Sequence, residues 1–131
     1  MSEQTRDAAI RVTMMPRDTN AHGTVFGGII LSYIDVAGGV ESIRHTRHNR
    51  FVTVAMKEVI FHEPVFIGDL VSFYARTVKT GNSSITVHVD VEAERFLTPG
   101  VNVKVTEAEV IFVAIDERGK KVSIKANLPT S

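Results

Sequence analysis

The sequence predicts an α+β fold in which a curled antiparallel sheet of about five strands wraps around one long helix. The first observation is a stretch of about 17 residues, beginning at Phe26, whose apolar residues recur at helical spacing. The second is that the other structured segments are rich in β-branched and aromatic residues, which favour strands. A helix that is apolar on most sides must be buried, and a sheet that curls around it can bury it. We therefore expect a single domain over residues 1–131.

The first strand is predicted at Ile10–Met15, and it ends at Pro16 because proline has no N–H group to donate to a sheet. A polar loop follows. Its residues Asp18, Asn20 and Gly23 are types that favour turns. This loop leads through a glycine pair into the predicted helix.

The helix is predicted from Phe26 to about Arg44, with apolar residues on most of its surface. A stripe of small and polar residues follows its remaining side, at Gly28, Ser32, Asp35, Gly39 and Ser42. Small residues along a helix allow another backbone to approach closely. The stripe therefore predicts a packing surface, with the carboxylate of Asp35 at its centre.

Four strands are predicted after the helix, at Phe51–Phe61, Leu70–Val78, Ser84–Ala93 and Val103–Ile115. In the third, apolar and polar residues alternate, which indicates a sheet with one solvated face. Glycine and proline mark the joints at residues 63–69 and 80–83, and a further turn at residues 116–120. Because strands joined by short turns are usually antiparallel neighbours, we expect successive strands to pair.

The composition excludes several kinds of function. Fifteen basic residues balance fifteen acidic ones, so we expect no nucleic-acid partner and no anionic membrane partner. The absence of cysteine excludes disulfides and thiolate chemistry. No apolar run approaches the roughly 18 residues of a membrane span, so we expect a soluble, cytoplasmic protein. The tail after Ile124 is expected to be loose.

Asp35 is the first candidate for chemistry. A carboxylate among apolar residues costs several kcal/mol to bury unless it is paired or protonated. One interpretation is structural, with Asp35 paired to a basic side chain such as Arg44, Arg76 or Lys57. The other is catalytic, and it depends on the groups that surround the carboxylate.

The Gly27-Gly28 pair leaves the first N–H groups of the helix accessible, and such groups bind an anion or a developing oxyanion. Asp35 lies about 10 Å further along the helix, whereas a base and an oxyanion donor must act within roughly 3 to 5 Å of one carbonyl. One chain therefore cannot easily supply both. Two copies with antiparallel helices could bring the groups together at two equivalent sites, which predicts a homodimer.

The polar loop offers two weaker candidates. Asn20 suits a turn by its propensity, but its amide could also orient a water molecule or polarise a carbonyl beside the glycine pair. His22 is more often a solvated loop side chain than a catalyst in such a setting.

The remaining histidines give no metal site by spacing. His45 and His48 could touch one metal, but no carboxylate or third ligand is near them in sequence, so they are interpreted as a solvated helix end. His62 and His88 are interpreted as isolated residues on strands, on solvated faces or at satisfied core positions. We therefore expect no metal.

A small polar cluster surrounds the Gly81-Asn82 turn, and its members are Arg76, Lys79, Ser83 and Ser84. The ordinary interpretation is a charged hairpin tip. The functional interpretation is a phosphate site, because basic side chains, hydroxyls and turn N–H groups together suit an anionic ligand.

The run P-R-D-T-N-A-H-G-T-V-F-G-G-I-I-L-S-Y-I-D-V-A-G-G resembles the signature of the hotdog-fold acyl-CoA thioesterases, the group that includes broad-range bacterial enzymes and brain-type acyl-CoA hydrolases. The likeness continues through V-T-V-A, F-H-E-P-V-F-I-G-D-L-V and Y-A-R-T-V-K-T-G-N-S-S-I, and it covers most of residues 11–115. His22 and the pair His62-Glu63 depart from the pattern, and these departures could alter the acyl preference or leave it unchanged.

The resemblance implies hydrolysis of acyl-CoA to a free acid and CoA, without metal or redox cofactor. It implies that Asp35 activates water or attacks the thioester, that Asn20 acts beside it across a subunit interface, and that an N–H of Gly27 or Gly28 polarises the carbonyl. The segment from Arg76 to Ser84 would lie near the CoA phosphates. These enzymes commonly pair through their sheets and assemble into hexamers, so we expect at least a homodimer and a trimer of dimers.

Two alternatives remain open at this point. A hydratase or dehydratase of the same fold would need a histidine, and His22 is the one near enough in sequence to the helix start. A protein that binds acyl-CoA as a sensor, without turnover, is the alternative outside enzymes.

Overall fold

A computed structural model describes residues 6–125, which contain one sheet and one long helix. The strands are β1 (Ile10–Thr13), β2 (Phe51–Phe61), β3 (Leu70–Thr80), β4 (Ser84–Glu94) and β5 (Asn102–Ala114). A 3-10 turn at Pro16–Asp18 and helix α1 (Gly27–Thr46) connect β1 to β2. All strand pairs are antiparallel, and the sheet curls around α1 without closing, so the predicted fold class is confirmed. The predicted loose tail lies outside the described residues, except for Lys125.

The strand order is β1-β3-β4-β5-β2, which differs from the expected pairing of successive strands. β2 pairs with β5 and not with β3, because β1 occupies the place beside β3. The connection over residues 62–69 crosses the end of the sheet. It is held there by hydrogen bonds from the N–H of His62 to the oxygen of Val105 (2.8 Å) and from the N–H of Val25 to the oxygen of Val65 (2.7 Å). The turn residues therefore predicted the position of this connection in the sequence, but not which strands it places side by side.

The core lies between α1 and the central strands β3, β4 and β5. The predicted alternation on β4 is confirmed except at Thr86, which is buried as well; the predicted inward residues are all fully buried, namely Ile85, Val87, Val89 and Val91. Helix residues Ile30, Ile34 and Ala37 pack against them. Gly38 belongs to the same face, and a Cβ atom there would lie only 2.8 Å from the ring of Phe112. The close approach of helix and sheet thus requires glycine at this position.

The predicted stripe of small residues is only partly correct. Gly28 and Ser32 are exposed and Asp35 and Gly39 are half-buried, as a packing surface requires. Ser42 is instead fully buried. Its position on the core side of the helix is stabilised by a hydrogen bond from its hydroxyl to the oxygen of Gly38 (2.8 Å), which satisfies the buried group.

The expectation that α1 is buried on most sides is confirmed for most of the helix, but two of its apolar residues are exceptions. Val36 and Ile43 are 55% and 44% exposed, although both belong to the predicted apolar surface. The neighbouring edge strand β2 also leaves Val52 and Val54 exposed. One flank of the helix and the adjoining strand therefore present apolar side chains to solvent. No helix in residues 6–125 combines the length and apolar character that crossing a membrane requires.

Candidate active site

The amino end of α1 begins without a side-chain cap. Phe26 precedes the first helical residue in an extended conformation, and no side chain in residues 6–125 caps the helix start. The N–H groups of the first turn have no partner within a helix, and the helix dipole makes this end positive. The ring of Phe26 lies over Gly28, where a Cβ atom would come within 2.7 Å of it. The absence of a side chain at Gly28 thus lets the phenyl ring fold over the helix start.

A cavity of about 310 Å³ adjoins this helix start. Its apolar walls come from Ile30, Phe61 and Val65. Its polar walls come from Thr24, His62, Glu63 and Thr106. Gly27 forms part of the wall and lies close enough to Phe61 that a Cβ atom would be 3.4 Å from the ring. The cavity is at the lower end of the usual size of ligand pockets, about 300 to 1,000 Å³. It can hold a small group with both apolar and polar parts beside the helix N–H groups.

The carboxylate of Asp35 is half-buried and is held by β2. The hydroxyl of Thr53 donates a hydrogen bond of 2.6 Å to its Oδ1. No basic nitrogen in residues 6–125 lies within 4.0 Å of this carboxylate, and Arg44 instead lies 4.0 Å from Asp7. The interpretation of Asp35 as an ion-pair partner is therefore wrong. The sequence did not single out Thr53, and its one signal was its place in the V-T-V-A run.

Asp35 and the glycine pair remain apart within one chain. Gly27 contacts Phe61, the last residue of β2, whereas Asp35 contacts Thr53 near the beginning of the same strand. The helical rise places the carboxylate about 10 Å beyond Gly28. A single chain thus keeps the two candidate groups apart.

Asn20 has a structural role in the loop before α1. Its side-chain oxygen accepts hydrogen bonds from the N–H groups of His22 (2.8 Å) and Thr24 (3.3 Å), and its amide donates to the hydroxyl of Thr24 (3.0 Å). These bonds fit the interpretation as a turn residue. The catalytic role of Asn20 stays a prediction. His22 is exposed and does not line the cavity at Gly27.

The predicted phosphate cluster is divided. Arg76 lines a groove of about 620 Å³ with Arg6 and Tyr74, on a different part of the surface from the cavity at Gly27. Lys79 follows an irregularity in the pairing of β3 with β4, and the two serines lie at the hairpin beyond it. The four residues Arg76, Lys79, Ser83 and Ser84 therefore follow one hairpin without forming one compact cluster. Their role in substrate binding stays a prediction.

His62 and His88 are not isolated, as was expected, because both contact Glu107 on the outer face of the sheet. Their Nε2 atoms lie 2.8 Å and 3.4 Å from its carboxylate oxygens, and His88 also lies 3.0 Å from Asp90. Lys104 contacts Asp90 (3.1 Å) and Glu107 (3.2 Å). Partial burial favours a higher pKa for Asp90, but hydrogen bonds from Lys104 and His88 outweigh it and lower this pKa. Hydrogen bonds from His62 and Lys104 lower the pKa of Glu107.

This outer-face network also has the composition of a metal site. Atoms of His88, Asp90 and Glu107 lie within 4.8 Å of one another, a spacing that a cation could bridge. The ammonium group of Lys104 already contacts both carboxylates. The positive charge between them is thus supplied by the chain itself.

His48 differs from the expected solvated helix end. Its Nε2 lies 2.9 Å from the oxygen of Ile115, and its ring meets the ring of Phe51 edge-on at 5.4 Å. His45 is half-buried on the last turn of α1. His48 therefore attaches the end of the helix to the sheet.

Comparison with known proteins gives a consistent set of relatives. Residues 22–96 match the family described as the thioesterase superfamily. The acyl-CoA thioester hydrolase YciA of Salmonella typhimurium is 39% identical over 116 residues, which are 87% of this chain and 86% of the relative. A solved hexameric hotdog fold thioesterase of Campylobacter jejuni is 40% identical, with a TM-score of 0.84 over 91% of this chain and 93% of that one. A hexameric broad specificity acyl-coenzyme A thioesterase is 34% identical, with a TM-score of 0.84 over 94% and 84% of the two chains.

Proposed function

Because this chain belongs to the thioesterase superfamily, we propose that it is an acyl-CoA thioester hydrolase, which converts acyl-CoA and water into a free fatty acid and CoA. The observation that carries this function is the uncapped amino end of α1 beside a cavity that combines apolar and polar walls. The N–H groups suit a thioester oxygen, and the cavity suits the beginning of an acyl chain. Relatives that are 37% to 39% identical over most of their length are named for this reaction.

In the proposed mechanism, an N–H group of Gly27 or Gly28 donates a hydrogen bond to the thioester oxygen and stabilises the charge that develops on it. Asp35 acts in one of two ways. As a base, it takes a proton from water while the water oxygen attacks the carbonyl carbon, and the tetrahedral intermediate then expels the thiolate of CoA. As a nucleophile, its carboxylate oxygen attacks the carbonyl carbon and the thiolate of CoA leaves, and water then hydrolyses the resulting mixed anhydride to the free acid and restores Asp35. Neither route calls for a metal or a redox cofactor, and we propose that none takes part.

We propose that the site is shared between two subunits. This proposal is supported by the separation of Asp35 from Gly27 and by the apolar surface that α1 and β2 leave exposed. In the dimer, Asp35 of one chain would act beside the helix start of the other, with Asn20 contributed across the interface. The hexameric state of the solved relatives supports a further assembly into a trimer of dimers.

We also propose that the CoA phosphates bind along the hairpin that carries Arg76, Lys79, Ser83 and Ser84. Its support is the chemistry of these groups, because guanidinium, ammonium and hydroxyl groups all donate hydrogen bonds to phosphate oxygens. We propose that the protein acts on acyl-CoA in the cytoplasm. The balanced charge of the chain supports the absence of a nucleic-acid or anionic membrane partner.

The test is a thiol-release assay with acyl-CoA substrates from acetyl to palmitoyl. The wild-type chain should release CoA, and Asp35→Asn should fold but lose nearly all turnover, because an amide can act neither as base nor as nucleophile. Glu117→Gln provides the control, since it removes one exposed carboxylate far along the chain from α1. Near-normal turnover of Asp35→Asn would contradict the mechanism. Binding of acyl-CoA without thiol release by the wild type would instead indicate a sensor.

A further inference from the structure

The cavity at Gly27 is lined by two threonines that an unsubstituted alkyl chain could not use. Thr24 belongs to the loop before α1, and Thr106 belongs to β5. Both line the same cavity of about 310 Å³ as Gly27, which is a proposed donor to the thioester oxygen. Two hydroxyl-bearing residues from different elements therefore adjoin the space for the first carbons of an acyl chain.

Thr106 lies on the inner face of the sheet. It pairs with Val91 on one side and with Phe61 on the other, and directly paired residues direct their side chains to the same face. Val91 belongs to the core and Phe61 lines the cavity, so the side chain of Thr106 also faces inward. Thr106 is only 1% exposed. A buried hydroxyl beside a cavity favours a ligand that forms a hydrogen bond with it.

The hydroxyl of Thr24 is oriented by Asn20. The side-chain oxygen of Asn20 accepts the N–H groups of His22 and Thr24, which directs its amide nitrogen to the hydroxyl of Thr24 (3.0 Å). Because an amide nitrogen can only donate, the Thr24 oxygen is the acceptor of this bond. The O–H proton of Thr24 is therefore left for another partner, and a ligand oxygen in the cavity can accept it.

Both threonines are held in place by backbone contacts. The carbonyl oxygen of Thr24 accepts the N–H of Asn20 (2.8 Å), and its backbone bridges to Phe66 in the connection over residues 62–69. Thr106 is paired with a strand on each side. Because the two residues are ordered before a ligand binds, little conformational entropy remains to be lost on binding.

The charges of the cavity distinguish a hydroxyl from a charged substituent. Neither lysine nor arginine lines the cavity in residues 6–125, and Glu63 is the one carboxylate that does. The ring of His62 is engaged with Glu107 on the outer face. A carboxylate on the acyl chain would therefore meet a like charge without a cation. An ammonium group has three donors and no acceptor, so it could not accept the proton of Thr24, whereas a hydroxyl both accepts and donates.

We propose that the cavity at Gly27 binds short acyl chains with a hydroxyl close to the thioester, as in a 3-hydroxyacyl-CoA. Thr24 donates a hydrogen bond to that hydroxyl, and Thr106 accepts one from it. This substrate class rests on the proposed function and deepens it. The apolar walls at Ile30 and Val65 receive the remaining carbons. A saturated chain of the same length leaves both threonines without these bonds, so it is the poorer substrate.

The test compares thiol release from 3-hydroxybutyryl-CoA and from butyryl-CoA, which differ by one hydroxyl. The readout is the ratio of their kcat/KM values, because a general loss of activity cancels in it. We expect a ratio above one in the wild type. Thr24→Val and Thr106→Val should each lower it by about two- to tenfold, the usual effect of one neutral hydrogen bond. Thr24→Ser and Thr106→Ser keep the hydroxyl and should keep the ratio.

Thr86→Val provides the matched control. Thr86 is likewise a buried strand threonine, 4% exposed on β4, but it does not line the cavity, so this variant should keep the wild-type ratio. A wild-type ratio of one or less, or a ratio that neither valine variant lowers, would overturn the substrate class and leave acyl-CoA hydrolysis standing. Succinyl-CoA, whose acyl chain ends in a carboxylate, should be a poorer substrate than both, and a preference for it would also overturn the substrate class.

Isothermal titration calorimetry separates this proposal from the proposed function. If the wild type hydrolyses none of the CoA thioesters, the proposed function fails, and the affinities for the two compounds decide the role of the threonines. Tighter binding of 3-hydroxybutyryl-CoA, lost in Thr106→Val and kept in Thr106→Ser, would support the hydroxyl site. Equal affinities, or no binding of either compound, would overturn it.

Discussion

A shared active site predicts that two inactive variants restore each other's activity. Asp35→Asn removes the carboxylate, and Gly27→Pro removes a backbone N–H at the first helical position. Proline is well tolerated at that position. The preceding residue, Phe26, has φ −62° and ψ 130°, the conformation favoured before proline. Each variant alone should lose about a hundredfold or more in turnover, the usual effect of removing a catalytic hydrogen-bond donor or base.

The size of the restored activity follows from the two-fold arrangement. When both variants are co-expressed in equal amounts, about half of the dimers contain one subunit of each kind. In such a dimer, one site combines the intact Asp35 of the Gly27→Pro chain with the intact Gly27 of the Asp35→Asn chain, and the other site lacks both. The mixture should therefore recover about a quarter of the wild-type turnover, well above either variant alone.

The assay measures thiol release from the co-expressed mixture, and two affinity tags confirm that both variants are present in one assembly. Mixed dimers that are as inactive as the two parent variants would show that each site lies within one chain. A Gly27→Pro variant with wild-type turnover would instead assign the oxyanion bond to Gly28.

Two further predictions concern side chains found in the structure. Thr53→Val should lower kcat by about tenfold, because a hydrogen bond to a charged group contributes about 1.5 to 3 kcal/mol and water can replace part of it at this exposed position. Thr53→Ser keeps the hydroxyl and should restore the rate. An unchanged rate in Thr53→Val would refute the role of Thr53 in holding the carboxylate of Asp35. Acid should destabilise the fold, because the pKa values of Asp90 and Glu107 are lower in the folded chain than their ordinary values of 3.8 and 4.5. The resulting stabilisation is fully present at a pH above these ordinary values, and it is lost as the pH falls through the lowered pKa values. Thermal unfolding between about pH 6 and pH 2 should show a smaller loss in Lys104→Met than in the wild type, and equal losses would contradict this.

The fold could be predicted because its main elements depend on local periodicity. The alternation of apolar residues from Ile85 to Val91 defines β4 and the side that it buries, and the structure keeps both. The order of the strands could not be predicted in the same way. Turn residues such as Gly68 indicate where the chain bends, but the neighbour of β2 depends on which edge of the sheet is free once β1 has paired with β3.

In the candidate site, too, local features could be predicted from the sequence and long-range contacts could not. Asp35 and the glycine pair were evident because a carboxylate in an apolar helix and two glycines at a helix start are unusual locally. Thr53 is 18 residues from Asp35, and their hydrogen bond depends on how far β2 curls over α1. The contact between His62 and Glu107 spans 45 residues and depends on the pairing of β2 with β5, which was predicted incorrectly.

Strand β2 lies beside both candidate catalytic groups. It is an edge strand, with Thr53 near its beginning bonded to Asp35 and Phe61 at its end beside Gly27. If two β2 edges pair in antiparallel fashion about the middle of the strand, the beginning of one strand lies beside the end of the other. The same two-fold operation makes the two α1 helices antiparallel. Strand pairing and helix packing would therefore each bring Asp35 of one chain towards Gly27 of its partner, so a single symmetric contact could complete both sites.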